Sequence, residues 1–187
     1  MLPDFPSLAT PRLHLRAFAE GDIARLVALA GDYEVAKNTL NIPHPYTEAD
    51  AWHWLHLTQQ GYAQQSAYAF ALELRATGEF VGGMGLTLEP RFDRAEAGYW
   101  LGQPYWGRGL ATEALAGVLR FGFEVLNLNK IYATHIAQNP ASGRVMQKNG
   151  MRKEGELAQH TKRDGRYYDL WQYRLTQAEY VARLGSS

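Results

Sequence analysis

Ahead of a long apolar-periodic stretch the chain reads Trp106-Gly107-Arg108-Gly109-Leu110-Ala111-Thr112. The first turn of a helix carries backbone N–H groups without intrahelical partners, and the helix dipole adds partial positive charge there. Gly107, Gly109 and Ala111 let an anion approach that backbone, and Arg108 and the Thr112 hydroxyl add donors. The chemistry this suits is the cradling of a phosphate or pyrophosphate, although a tight turn without a ligand has the same spacing. The Gly-Lys-Ser/Thr ending of a nucleoside-triphosphate loop is missing. A dinucleotide fingerprint would place an acidic residue about 20 positions on, where this chain has Asn127-Leu128-Asn129-Lys130.

Other chemistries fall away. With no cysteine there is no disulfide framework, thiolate zinc site or cysteine nucleophile. His53 and His56 stand one helical turn apart without a fixed third ligand, so no metal site is expected. Neither Ser66 nor Ser142 sits in a nucleophile elbow, which argues against a serine hydrolase. Trp171 and Tyr173 alternate along a strand and read as core, and Lys162 to Arg166 reads as a solvated hairpin tip.

The elements that must position the cradle follow from periodicity. Leu13, Leu15 and Ala17 alternate with His14 and Arg16, which predicts a strand over 11–18. Ile23, Leu26, Val27 and Ala30 share a helical face that Gly31 ends. Pro43 and Pro45 mark 37–46 as a loop, and Thr47 with Asp50 resembles a capping box for a helix to about Gln64. A hairpin (67–75 and 80–88), a strand (94–102), a helix (109–126), a strand (130–137) and a helix (140–149) follow. Strands at 151–160 and 166–175 flank Arg163-Asp164-Gly165, and a short helix ends the chain. Helices among hairpins, with one strand–helix–strand crossover, predict a mixed α/β sheet.

At 187 residues the chain suits one domain, 1–187, and 46% hydrophobic with 20% charged residues is an ordinary globular balance. Nineteen basic residues against nineteen acidic disfavour nucleic acid as the main partner. Met1 to Pro6 has neither a basic lead nor an apolar core, and apolar runs stop short of a membrane span. The expectation is a cytoplasmic protein with no membrane partner.

Three ordered segments carry a resemblance. Glu96 to Gly102 (Glu-Ala-Gly-Tyr-Trp-Leu-Gly), Pro104 to Ala114, and Asn139-Pro140-Ala141-Ser142 with Lys148-Asn149-Gly150 resemble the GNAT superfamily, in its RimJ/RimL-like branch. Thr10 to Arg16, Pro45-Tyr46-Thr47, Glu154-Gly155 and Tyr168-Asp169 are similar to the same branch. The resemblance implies a mixed, mostly antiparallel sheet in which two parallel strands, 94–102 and 130–137, splay into a V flanked by helices. It implies acetyl-CoA as co-substrate and no metal. The pantetheine arm would pair with the backbone of Trp100, Leu101 and Gly102, and the pyrophosphate would rest on Gly107, Arg108, Gly109, Leu110, Ala111 and Thr112. Asn139 and Ser142 would form the far wall.

Departures from the family pattern matter too. Trp106 replaces a Gln or Arg, Met151 replaces a Phe, and Met146 stands where many members have the Tyr that protonates the departing thiolate. That role passes to Ser142. Acetyl transfer to an amine also wants a base, and Glu96, which shares a strand face with Gly98 and Trp100, is the first candidate and His160 the second. Glu96 also reads as a solvated strand carboxylate, and Ser142 as an exposed serine opening a helix. A backbone N–H near Leu101 would serve as oxyanion donor. The acceptor expected of this branch is a protein or peptide N-terminal α-amine. A small amine (polyamine, amino sugar or antibiotic) and a CoA-binding module without turnover are the alternatives, in a monomer or homodimer.

Overall fold

The computed structural model describes residues 4–185, so Met1 to Pro3 of the leader reading lie outside the described residues. Strands β1 (Leu8–Ala9), β2 (Leu13–Ala17), β3 (Ala67–Leu74), β4 (Phe80–Glu89), β5 (Arg94–Leu101), β6 (Lys130–Ile136), β7 (Arg152–Arg163) and β8 (Arg166–Thr176) form one sheet, in the order β1-β2-β3-β4-β5-β6-β8-β7. The helices are α1 (Ile23–Ala30), α2 (Tyr33–Ala36), α3 (Glu48–Ala63), α4 (Leu110–Arg120), α5 (Pro140–Lys148) and α6 (Gln177–Leu184). Among the described residues no helix is long and apolar enough to cross a membrane.

Local rules account for most of these. Leu13 and Leu15 point into the core of β2 with nothing exposed. The Thr47 capping box is present: its hydroxyl accepts from the Asp50 N–H, and the Asp50 carboxylate accepts from the Thr47 N–H at 2.7 Å. Two elements escape the sequence pattern, β1 with two residues and α2 with four, because neither is long enough to show a period. The helix predicted over 109–126 changes character after Arg120, where Phe121–Val125 form a π turn. Phe121 there packs its ring against Tyr68 and Phe70 on one face of the sheet. Phe18 packs on Trp54 of α3 and, with Trp100, flanks Gly83 on the opposite face.

The feature that makes the site is in the middle. β5 runs antiparallel to β4 from Arg94↔Glu89 to Leu101↔Gly82, and β6 runs antiparallel to β8 from Lys130↔Thr176 to Ile136↔Leu170. β5 and β6 pair in parallel only at Arg94↔Lys130, Ala95↔Ile131 and Glu96↔Tyr132. Beyond Glu96 each strand follows its antiparallel neighbour and the two separate.

Gly82 lets β4 hold the far end of β5. A Cβ there would collide with the Trp100 carbonyl oxygen and lie 2.9 Å from Leu101 Cα, whereas a Cβ at Gly98 would meet nothing within 4 Å. Gly82→Ala is therefore expected to cost about 1–3 kcal/mol and lower Tm by several degrees. Gly98→Ala should stay within about 0.5 kcal/mol of the parent. Thermal melts of the two variants check this, and equal losses would contradict the close approach at Gly82.

Candidate active site

The turn before α4 is built as the sequence suggests. Gly107 (φ 72°) and Gly109 (φ 75°) both lie in the left-handed region, where a side chain is strained, and Gly109 is the N-cap of α4. No side chain caps this helix start among the described residues, so the amides of Leu110, Ala111 and Thr112 have no side-chain partner there. A Cβ at Gly107 would meet nothing within 4 Å, so the outer side of the turn is open to an anion. The Arg108 guanidinium lies over the Tyr105 ring, 5.7 Å from its centroid.

The turn is held from behind by residues about a hundred positions earlier. Glu113, in the first turn of α4, accepts from Thr10 Oγ1 (2.6 Å), Arg12 N (2.7 Å) and Arg12 Nε (2.6 Å). Arg12 Nη1 also donates to the Arg108 carbonyl at 2.9 Å. From the other side, Asn149 Nδ2 donates to the Thr112 carbonyl at 3.1 Å. The Thr10-Pro11-Arg12 and Lys148-Asn149-Gly150 segments thus act as braces for the start of α4.

The V offers backbone, and strand parity decides which. Gly102 N donates to the Val81 carbonyl at 2.9 Å, so in this antiparallel ladder Gly98, Trp100 and Gly102 turn their polar groups toward β4. The alternate residues Tyr99 and Leu101 turn theirs into the gap. Trp106 confirms the direction for one of them, since its indole N–H donates to the Leu101 carbonyl at 2.8 Å. Of the three backbone positions expected to line the gap, Leu101 does; Trp100 and Gly102 are corrected, because their N–H and C=O belong to the ladder with β4. Tyr99 replaces them.

Across the gap stands the first turn of α5. Asn139 caps it, its side chain accepting from the Ser142 N–H at 3.3 Å, and its Nδ2 donates to the Asn38 carbonyl at 3.4 Å. Both ends of the Asn139 amide are therefore engaged within the protein. Ser142 is half-buried, and its Oγ lies 2.9 Å from the Tyr99 hydroxyl, which is also 2.9 Å from the Ser142 carbonyl. Burial pushes the Tyr99 phenol well above its ordinary value. Met146 is buried and brings no hydroxyl. α5 lies close on β6: a Cβ at Gly143 would sit 2.7 Å from His135 Nε2. Burial also pulls His135 below its ordinary value, which keeps it neutral.

On the opposite face of the sheet, Glu96 sits at the last parallel rung. Thr134 Oγ1 donates to its Oε1 at 3.0 Å. The neighbouring carboxylates are engaged by cations: Glu89 by Arg94, and Glu154 by Lys130. No lysine or arginine among the described residues pairs with Glu96. His160 is exposed in an irregular stretch of β7, with β6 and β8 between that strand and β5. Trp171 lies under Lys153 Nζ at 3.5 Å and Tyr173 is buried. Arg163 is no solvated tip residue: it donates to the carbonyls of Ala36 (2.8 Å), Thr39 (2.6 Å) and Lys37 (3.1 Å), tying the β7–β8 hairpin to the loop after α2. Among the described residues no group of three His, Cys, Asp or Glu side chains could hold a metal ion.

A family model described as an acetyltransferase (GNAT) domain matches residues 12–152. The chain belongs to the GNAT N-acetyltransferase family. It is 32% identical to an uncharacterized N-acetyltransferase, p20, of Bacillus licheniformis over 94% of this chain and 98% of that one. To the [ribosomal protein uS5]-alanine N-acetyltransferase of Escherichia coli it is 28% identical, over 68% of this chain and 66% of that one. A crystal structure of a GNAT-family acetyltransferase from Bacillus anthracis superposes with a TM-score of 0.84 at 25% identity, covering 93% of this chain and 100% of the other. This GNAT enzyme is of the RimJ/RimL-like branch.

Among the groups that brace the turn before α4, Glu113 titrates. Burial raises its pKa, but the bonds from Thr10 and Arg12 outweigh burial and hold it below the ordinary carboxylate range. A depressed folded pKa gives stability that is present above the unfolded value of about 4.3 and is lost as pH falls through the folded one. Glu113→Gln is expected to lower stability by about 1–3 kcal/mol at pH 7. Its deficit against the parent should shrink once pH drops below about 4. Denaturant unfolding at pH 7 and pH 3.5 measures both, and a deficit independent of pH would contradict the brace.

Proposed function

We propose that this enzyme transfers the acetyl group of acetyl-CoA to the free α-amine of a protein or peptide N-terminus, by direct attack in a ternary complex. The observation that carries the reading is the V itself. It lies between the open turn at 107–112 on one side of the sheet and, on the other, Glu96, a half-buried carboxylate with a threonine but no cationic partner among the described residues. The cradle amides at Leu110, Ala111 and Thr112 would hold the pyrophosphate, with Arg108 and Gly107 beside it. The Tyr99 backbone and the second lone pair of the Leu101 carbonyl would pair with the pantetheine amides.

In this reading the Leu101 N–H stabilises the negative oxygen that develops on the thioester carbonyl, a kind of contact worth about 3 kcal/mol. Ser142 offers its hydroxyl to the sulfur as the carbon–sulfur bond breaks with its electron pair on sulfur. Glu96 takes the surplus proton of the attacking amine, directly or through a water. Alignment of donor and acceptor in one complex supplies further kilocalories.

The acceptor follows from the modest equipment for deprotonation. An α-amine titrates near 7.7–8.0 and a lysine near 10.4. At pH 7 about one α-amine in ten is neutral, against fewer than about one lysine in a thousand. A single carboxylate held by one threonine suits the former. The loop Pro43-His44-Pro45-Tyr46 and the β7–β8 hairpin, which Arg163 latches to Ala36, Lys37 and Thr39, would wall a slot for one or two N-terminal residues. Ribosomal-protein alanine as the acceptor of the Escherichia coli relative agrees with this class.

Short peptides with free N-termini are expected to turn over at least about tenfold faster than N-blocked peptides carrying one free lysine. Glu96→Gln should slow the free peptides several-fold, with much of the loss regained at higher pH, where the amine deprotonates unaided. Thiol release in an acetyl-CoA assay reads both. Equal rates on blocked lysine peptides, or turnover of polyamines or amino sugars alone, would refute the N-terminal acceptor. Binding of acetyl-CoA with no release for any amine would refute turnover.

A further inference from the structure

We propose that Tyr99 is a positioning residue for acetyl transfer, one that aims the Ser142 hydroxyl at the departing sulfur. The inference rests on the reading of Ser142 as the group that meets that sulfur. Its starting point is a count of protons. The Tyr99 hydroxyl lies 2.9 Å from two atoms of Ser142, the carbonyl oxygen and Oγ. A carbonyl only accepts, and a phenol has one proton to give.

Two arrangements satisfy this geometry. In the first, Tyr99 donates to the Ser142 carbonyl, and the Ser142 hydroxyl donates back to the Tyr99 oxygen. In the second, Tyr99 donates to Ser142 Oγ, and the Ser142 proton is free to point into the gap. The carbonyl loses little by the exchange, because in α5 it lies in the helical ladder and keeps its bond from the residue four positions on. A hydroxyl that accepts one hydrogen bond while donating another is the better donor. The second arrangement is therefore the one that suits a sulfur gaining negative charge.

The surroundings keep Tyr99 in this role. It comes from β5 beyond the last parallel rung, so its backbone faces the gap while its side chain reaches α5. Burial raises its pKa, so it remains a neutral donor across the working range of the enzyme, and no proton leaves it. Asn139 fixes Ser142 from the other side through the cap at its N–H. Ser142 is thus gripped at N–H, C=O and Oγ, and the remaining freedom is the direction of its hydroxyl proton.

The test is a double-mutant cycle on the full chain, with acetyl-CoA and a free-N-terminus peptide as substrates. Tyr99→Phe keeps the buried ring, and a thermal melt confirms that the fold is kept. The expected result is a fall in kcat of roughly tenfold for Tyr99→Phe, with the KM for acetyl-CoA unchanged within about twofold. The kcat–pH profile should keep its shape, since a neutral phenol does not titrate there. In a Ser142→Ala background the same change should have almost no further effect. A fall for Ser142→Ala but none for Tyr99→Phe, or losses that multiply, would overturn the role of Tyr99 and leave Ser142 standing. No effect of Ser142→Ala would remove the reading on which the inference rests. A loss confined to KM would assign Tyr99 to cofactor binding and overturn positioning.

Discussion

Everything distinctive about this fold depends on β5 and β6 ceasing to pair after three rungs. Backbone N–H and C=O groups inside a protein need partners, and a sheet normally supplies them. Here the ladder is intact on the outer sides, β4 holding β5 as far as Leu101 and β8 holding β6 as far as Ile136, so neither strand can close the gap without breaking its other pairing. What remains is a slot edged by backbone groups of Tyr99 and Leu101 that no neighbouring strand pairs. The Trp106 indole meets one of these groups, the Leu101 carbonyl. An extended chain with amides of its own, such as the pantetheine arm, would meet the rest.

A slot of this kind is useful only if its surroundings stay put, and long-range polar contacts achieve that. Glu113 ties the start of α4 to the β1–β2 turn, and Asn139 joins the cap of α5 to the loop after α2. Arg163 fastens the β7–β8 hairpin to the same loop through three carbonyls. Each brace fixes a loop or helix end from a distant part of the chain. The two sides of the proposed reaction, cofactor and acceptor, are therefore positioned by one connected framework.

Elements long enough to show a period were legible in advance: α1, α3 and the β3–β4 hairpin stand within a residue or two of their expected bounds, β7 runs three residues past its expected end, and the Asp164-Gly165 turn sits where Asp-Gly demands. What stayed hidden has a common cause. β1 and α2 are too short for periodicity, and the π turn at Phe121–Val125 shares the helical pattern that precedes it. Strand parity hid the role of Tyr99, because sequence gives the side-chain face of β5 but not which backbone groups β4 consumes. Likewise the partners of Tyr99 and Arg163 lie 43 and more than 120 residues away, beyond any local signal. The glycine turn and helix start at 107–110, by contrast, were visible because they depend on local residues.

Residue-resolved amide hydrogen exchange, with and without acetyl-CoA, tests the central claim most directly. In the free enzyme the Trp100 and Gly102 amides should already be protected by β4, while those of Tyr99, Leu101 and residues 110–112 should exchange faster. Acetyl-CoA should slow exchange at Tyr99, Leu101 and the α4 start, and change Trp100 and Gly102 little. Protection of Tyr99 and Leu101 before any ligand is added, or acetyl-CoA protection falling elsewhere in the chain, would contradict the account of the V as an open backbone edge awaiting its cofactor.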